Sequence, residues 1–156
     1  MAGDTSNVHP SNSIVVDSIN KHVRTKNVET ATNVYPGRLL EVGTNDDDVV
    51  VNAGTTPPCG WAGYLDTTKK WRPATKATIY VITAKIAQLN GAGMVLLGKL
   101  APGCTITVGD LLTQAPDGML TEGTAGTDDI VAVAVEAVTS GPAAITGTDI
   151  LVRSRI

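Results

Sequence analysis

The chain contains no phenylalanine, and its other rings number only five: Trp61, Trp71, Tyr35, Tyr64 and Tyr80. A core built on aromatic packing is therefore excluded. Many aliphatic side chains must fill it instead, which implies a thin buried layer and stability drawn partly from partner subunits. Cysteine is scarce too. Cys59 and Cys104 cannot make a disulfide scaffold; each sits among turn residues, where two ordinary thiols are expected and one bridge is neither required nor forbidden. The two histidines, His9 and His22, both fall in a polar N-terminal stretch. A stretch without its own core cannot hold an imidazole for nucleophilic catalysis. Charged residues make up 17% of the chain and the formal net charge is −3, which argues against a duplex-binding protein. No segment reaches the roughly 18 apolar residues of a membrane-spanning helix. The first residues lack the basic start and apolar centre of a signal peptide, so a cytoplasmic origin is expected.

Four small or β-branched residue types dominate what is present. Thr, Val, Ala and Gly occupy 72 of the 156 positions, a balance that favours short strands punctuated by turns over helical bundles or coiled coils. Residues 1–35 differ from the rest. They hold one Gly and one Pro against many Ser, Thr and Asn, with too little apolar surface to fold alone. They read either as a disordered terminus or as an extended arm that becomes ordered on a partner, contacting it through Val15, Val16, Ile19 and Val23, whose spacing is weakly helix-like. On the arm reading, removing residues 1–30 leaves the remaining domain folded and weakens only partner binding.

Residues 36–156 are rhythmic and read as one β domain. Strands are expected at Leu39–Val42, Val49–Val51, Trp61–Leu65, Thr78–Thr83, around Lys85–Leu89, and at Met94–Leu100. Asn90-Gly91-Ala92-Gly93 carries the strongest hairpin-turn pattern. Further strands are expected at Thr105–Val108, Leu111–Gln114 and Met119–Glu122. Ile130–Val138 reads as the longest, and Ile150–Ile156 closes the chain. The expected fold is all-β: a small antiparallel β-barrel or β-tulip-like sandwich with an extended N-terminal arm. An internal echo pairs Gly37-Arg38-Leu39-Leu40 with Gly109-Asp110-Leu111-Leu112. It continues through Gly54-Thr55 and Gly123-Thr124 to Ala62 and Ala134, and suggests two related β-lobes.

Little in the sequence points to chemistry. Asp46-Asp47-Asp48 lacks the alternating ligands of a calcium loop and reads as a solvated turn. No Cys or His lies at metal-ligand spacing, and no Gly-rich loop opens onto a helix. The sequence thus offers no catalytic residue, cofactor or metal site. Lys69-Lys70-Trp71-Arg72 is the single basic cluster with a ring inside it; without further aromatic platforms it reads as a link meeting a partner surface rather than nucleic acid. A lipoyl- or biotin-carrier domain would need an exposed lysine in a hairpin. The turns Asn90–Gly93 and Ala115–Gly118 have none.

The ordered motifs Pro36-Gly37-Arg38-Leu39-Leu40, Gly60-Trp61-Ala62-Gly63-Tyr64, Arg72-Pro73-Ala74-Thr75, Thr78-Ile79-Tyr80-Val81, Ile106-Thr107-Val108-Gly109-Asp110-Leu111-Leu112, Asp117-Gly118-Met119-Leu120, Val131-Ala132-Val133-Ala134-Val135-Glu136 and Ile150-Leu151-Val152-Arg153 give residues 36–156 a family likeness. The pattern resembles the capsid cement or head decoration proteins of tailed phages and related viruses. The resemblance implies a β-tulip or small barrel, a homotrimer at threefold or quasi-threefold positions, and the major capsid protein as partner. It also implies a place on the outer capsid surface of the virion, with no enzymatic activity, nucleic acid or membrane. The rival readings are a tail, baseplate or fibre component of a virus, and a small β-barrel that binds glycan or peptide.

Overall fold

The computed structural model describes residues 15–17, 21–30, 34–63, 85–144 and 146–156. Thirteen strands account for its regular structure: β1 (Val15–Asp17), β2 (His22–Val28), β3 (Leu39–Val42), β4 (Asp48–Val51), β5 (Gly60–Gly63), β6 (Lys85–Asn90), β7 (Val95–Leu100), β8 (Thr105–Ile106), β9 (Leu111–Ala115), β10 (Met119–Glu122), β11 (Ile130–Ala134), β12 (Val138–Thr139) and β13 (Thr148–Ser154). The all-β expectation holds, but there are two rings rather than one. Strands β2-β4-β3-β5-β6 form a closed barrel. In the second sheet, ordered β1-β7-β10-β9-β11-β13, β13 also pairs with β7 and closes the ring.

The two barrels have the same topology. In the first, β2 runs parallel to β4, and every other neighbour is antiparallel. In the second, β7 runs parallel to β10, and the β10–β9, β9–β11, β11–β13 and β13–β7 pairs are antiparallel. The hydrogen bonds repeat as well. Gly37 N–H donates to Ala62 O at 2.8 Å, and Gly109 N–H to Ala134 O at 2.9 Å. Ala62 N–H returns to Arg38 O at 2.8 Å, and Ala134 N–H to Asp110 O at 2.9 Å. These equivalences lie 72 positions apart, and the same offset relates β2 to β7 and β3 to β9. The echo seen in the sequence is therefore a duplicated barrel.

Each copy is entered by the same β-turn. Arg38 N–H closes it on Tyr35 O, and Asp110 N–H on Thr107 O, both at 3.2 Å. The third residue is Gly37 (φ +85) or Gly109 (φ +92), the left-handed position at which glycine avoids a Cβ penalty.

Alternation along the strands separates two cores. Val28, Leu40, Val49, Ala62 and Ile86 fill the first barrel with Val34. Their strand neighbours Leu39, Trp61, Ala87 and Leu89 face outward and join the core of the second barrel. Trp61 is fully buried there. Its Nε1–H donates to Ser154 Oγ at 3.1 Å. A Cβ on Gly98 would lie only 2.8 Å from Leu120 Cδ1 and in ordinary contact, 3.4 Å, with this ring. Arg38 seals the same junction: it is buried, its Nη2 donates to Thr146 O at 3.0 Å, and its guanidinium lies 4.4 Å from the Tyr35 ring centroid. Burial pushes the Arg38 pKa down, against the opposing field of Asp117.

Several expectations need correction. The turn at residues 91–93 does not close a hairpin, because β6 pairs within the first barrel and β7 within the second. Gly91 and Gly93 N–H instead donate to Ile156 O and Ser154 O, so the turn is a crossing held by the C-terminal strand. Ile130–Val138 is not one long strand. It breaks after Ala134 and carries a register shift between Ile130 and Ala132, which buries Val131 and Ala132 together. The part of residues 1–35 that is described pairs with the barrels themselves. β2 is a barrel strand, matched to β6 over six residues, and β1 pairs with β7. No helix forms at Val15, Val16 or Val23; these residues lie on strands. Most of β2 is exposed, with only Val28 buried, which is why its composition resembles a solvated arm. The expected strand at 78–83 lies outside the described residues.

Two outcomes follow from this architecture. A chain lacking residues 1–30 loses both β1 and β2, and its thermal melt by circular dichroism should lose the cooperative transition of the full chain. The equivalent turn glycines should also differ. Nothing lies within 4 Å of a Cβ on Gly109, so G109A should cost only the left-handed backbone penalty, about 1–2 kcal/mol in urea unfolding. A Cβ on Gly37 would fall 2.5 Å from Leu97 O, so G37A should cost clearly more.

Candidate binding cleft

The parallel pairs that close the two rings are short, and this opens a cleft. In the first barrel only Asn27 and Val28 of β2 meet Asp48 and Val49 of β4. From His22 to Lys26, β2 has β6 on one side and no strand on the other among the described residues. A cleft of about 730 Å³ opens at this point. That is within the range of sites for small molecules or short peptide segments.

Period-two alternation builds its walls. β2 contributes His22, Arg24 and Lys26, on the face that carries Val28 into the core further along. Directly opposite on β6 stand Asn90 across from His22 and Gln88 across from Arg24. The floor is the end of the apolar core at Val49, with Cys59 beside it. Burial pushes the Cys59 thiol up, so it stays protonated at neutral pH and is a small, unreactive wall residue. Val42 and the carboxylates of Asp46, in the turn, and Asp48, at the start of β4, complete the far side.

The polar groups are fixed unequally. Lys26 Nζ donates to the backbone carbonyl of Asp46. Asn45 and Asn27 amides donate to the Asp48 carboxylate at 2.7 Å and 3.2 Å; these bonds hold its pKa below the usual carboxylate range, with Lys85 and Lys26 adding to the effect. Cys59 O accepts from Gln88 Nε2 and, at 2.7 Å, from Asn90 Nδ2. Gln88 is 5% exposed, yet its Oε1 has no hydrogen-bond partner. A buried unpaired acceptor costs about 1–3 kcal/mol and marks a place where a donor is missing.

The residues expected at a partner interface fare differently. Val15 lies on β1, half-buried against the second core, and Val16 lies on the same strand. Val23 is 48% exposed on β2, on the face opposite His22, Arg24 and Lys26. Ile19, Lys69, Lys70, Trp71 and Arg72 lie outside the described residues. Of those that are described, none lines the cleft. The wall residues Arg24, Lys26, Gln88 and Asn90 were missed, although His22-Arg24-Lys26 alternates with the period of a strand. Asp46 and Asp47 are exposed in a turn, while Asp48 begins β4. Among the described residues, no cluster of His, Cys, Asp or Glu is placed to hold a metal ion, and both cysteines are free thiols.

No protein-family model and no curated protein matches the sequence. A solved structure does. The head fiber gp8.5 N base of bacteriophage phi29 is similar over 86% of this chain and 93% of that one, with a TM-score of 0.54 and 18% identity. The likeness is one of fold. It covers most of both chains, so it takes in the two barrels and not an isolated sheet.

Asp48 makes the stability of this corner depend on acid. A carboxyl whose pKa is depressed by folding stabilises above its ordinary value and loses that contribution as pH falls through the folded one. Thermal midpoints measured from pH 6 downward should therefore fall less steeply for D48N than for the unaltered chain.

Proposed function

We propose that the chain is a structural protein of a phage virion, seated on the outside of the head and assembled there as a homotrimer that cements the shell. One observation carries the reading: the fold likeness to a phage head-fibre base, which spans 86% of the chain. The order of motifs resembling capsid decoration proteins supports it independently. In this reading the major capsid protein and the chain itself are the partners, threefold or quasi-threefold positions are the place, and no reaction is catalysed.

The physical logic is linkage. A protein that binds only the assembled, expanded surface adds its binding free energy to that state alone. Many copies acting together multiply modest contacts. The same likeness also favours a second reading, in which the chain is the base of a projecting head fibre. In that reading the chain binds the shell without strengthening it.

Purified shells distinguish the two. With saturating protein, shells should withstand heating to a higher temperature, and the free protein should sediment at three times the chain mass. Binding without a rise in disruption temperature assigns the fibre-base reading. Absence of binding, together with a monomer in solution, overturns both.

A further inference from the structure

The duplication allows the cleft to be compared with its counterpart, residue by residue. Matching strand registers place His22 at the position of Met94, Arg24 at Leu96 and Lys26 at Gly98; on the opposite strand, Gln88 matches Val152 and Asn90 matches Ser154. In the second barrel that opening is filled. β1 adds to the edge of β7, with Val15 across from Leu96 and Asp17 across from Val95. Trp61 enters alongside and donates to Ser154. In the first barrel the same opening is polar and holds nothing from the described residues.

Among the described residues, its edge is also without a partner strand. Asn27 and Glu29 N–H point toward β4, since they donate to Asp47 O and Val49 O. By strand alternation, the N–H and C=O groups of Val23 and Thr25 point the same way, beyond the end of the parallel pairing. These positions match Val95 and Leu97 of β7, the edge that β1 and Gly37 cover.

We propose that the cleft of the first barrel receives an extended acidic segment of a partner polypeptide, which adds to β2 as β1 adds to β7. Main-chain bonds to Val23 and Thr25 supply the affinity, and side chains entering the cleft supply the choice of sequence. The partner residue in the place of Val15 faces Arg24 and is an Asp or Glu. A hydroxyl or N–H donor on the partner, entering beside Arg24, satisfies Gln88 Oε1. Asp46 and Asp48 stand at the far end, beside β4, and Asp48 is already engaged by two amides. Arg24 and His22 lie toward the open end. The assignment does not depend on the chain belonging to a virion.

The test uses the full chain and an array of synthetic decapeptides graded from acidic to basic composition. Acidic members should bind, and bound peptide should protect the Val23 and Thr25 amides from hydrogen exchange. V23P removes an edge N–H that no described strand uses and should abolish binding. The R24E/K26E double variant carries the test if V23P does not fold; it should weaken acidic peptides by about tenfold or more and turn the preference toward basic ones. Binding indifferent to peptide charge, protection elsewhere, or full affinity in V23P overturns the proposal. Oligogalacturonate bound in the cleft in place of every peptide also overturns it, and assigns the site to an anionic glycan.

Discussion

Each barrel closes through a parallel pairing only one or two residues long, and the rest of the structure answers to the opening this leaves. A five-stranded ring is too small to enclose its core if one wall is incomplete. The second barrel resolves this with a ring from outside: Trp61 of the first barrel joins Leu120 and Val152 in its core, close to Gly98. One side chain therefore completes a core and joins two lobes. The scarcity of aromatic residues becomes intelligible here, because a single well-placed indole replaces several smaller core groups.

Duplication also explains why equivalent positions have diverged. The Gly37 turn is buried at the junction, and its Arg38 is sealed under Tyr35 and bonded to Thr146 O. The Gly109 turn faces solvent, with Val108 67% exposed and Asp110 capping Thr107 N–H at 2.7 Å. Backbone geometry is the same in both copies, so the turn is a property of the repeat. The side chains that follow each glycine are a property of what covers it.

The opening beside β2 shows the same divergence. Apolar Met94 and Leu96 line the filled version, whereas His22 and Arg24 line the open one. Charged side chains on an exposed edge discourage indiscriminate strand pairing while leaving a route for a complementary partner.

Much of this protein was legible in the linear pattern. Leu39–Val42, Leu111–Gln114 and Met119–Glu122 alternate or flank turns in ways that only strands satisfy, and the Gly-x-Leu-Leu echo announced the repeat. These features are local: side-chain period and turn chemistry act over a few residues. The role of β2 was not legible, because its side chains mostly face water and its place depends on pairing with β6 some sixty residues away. The same holds for Asn90–Gly93, whose turn residues are right for a hairpin although the strands they join belong to different rings. Gln88 and Asn90 become cleft residues only when β6 lies across from β2. Strand pairing, outward burial of Trp61 and the open edge are long-range events, decided by which faces can be covered once both barrels have formed.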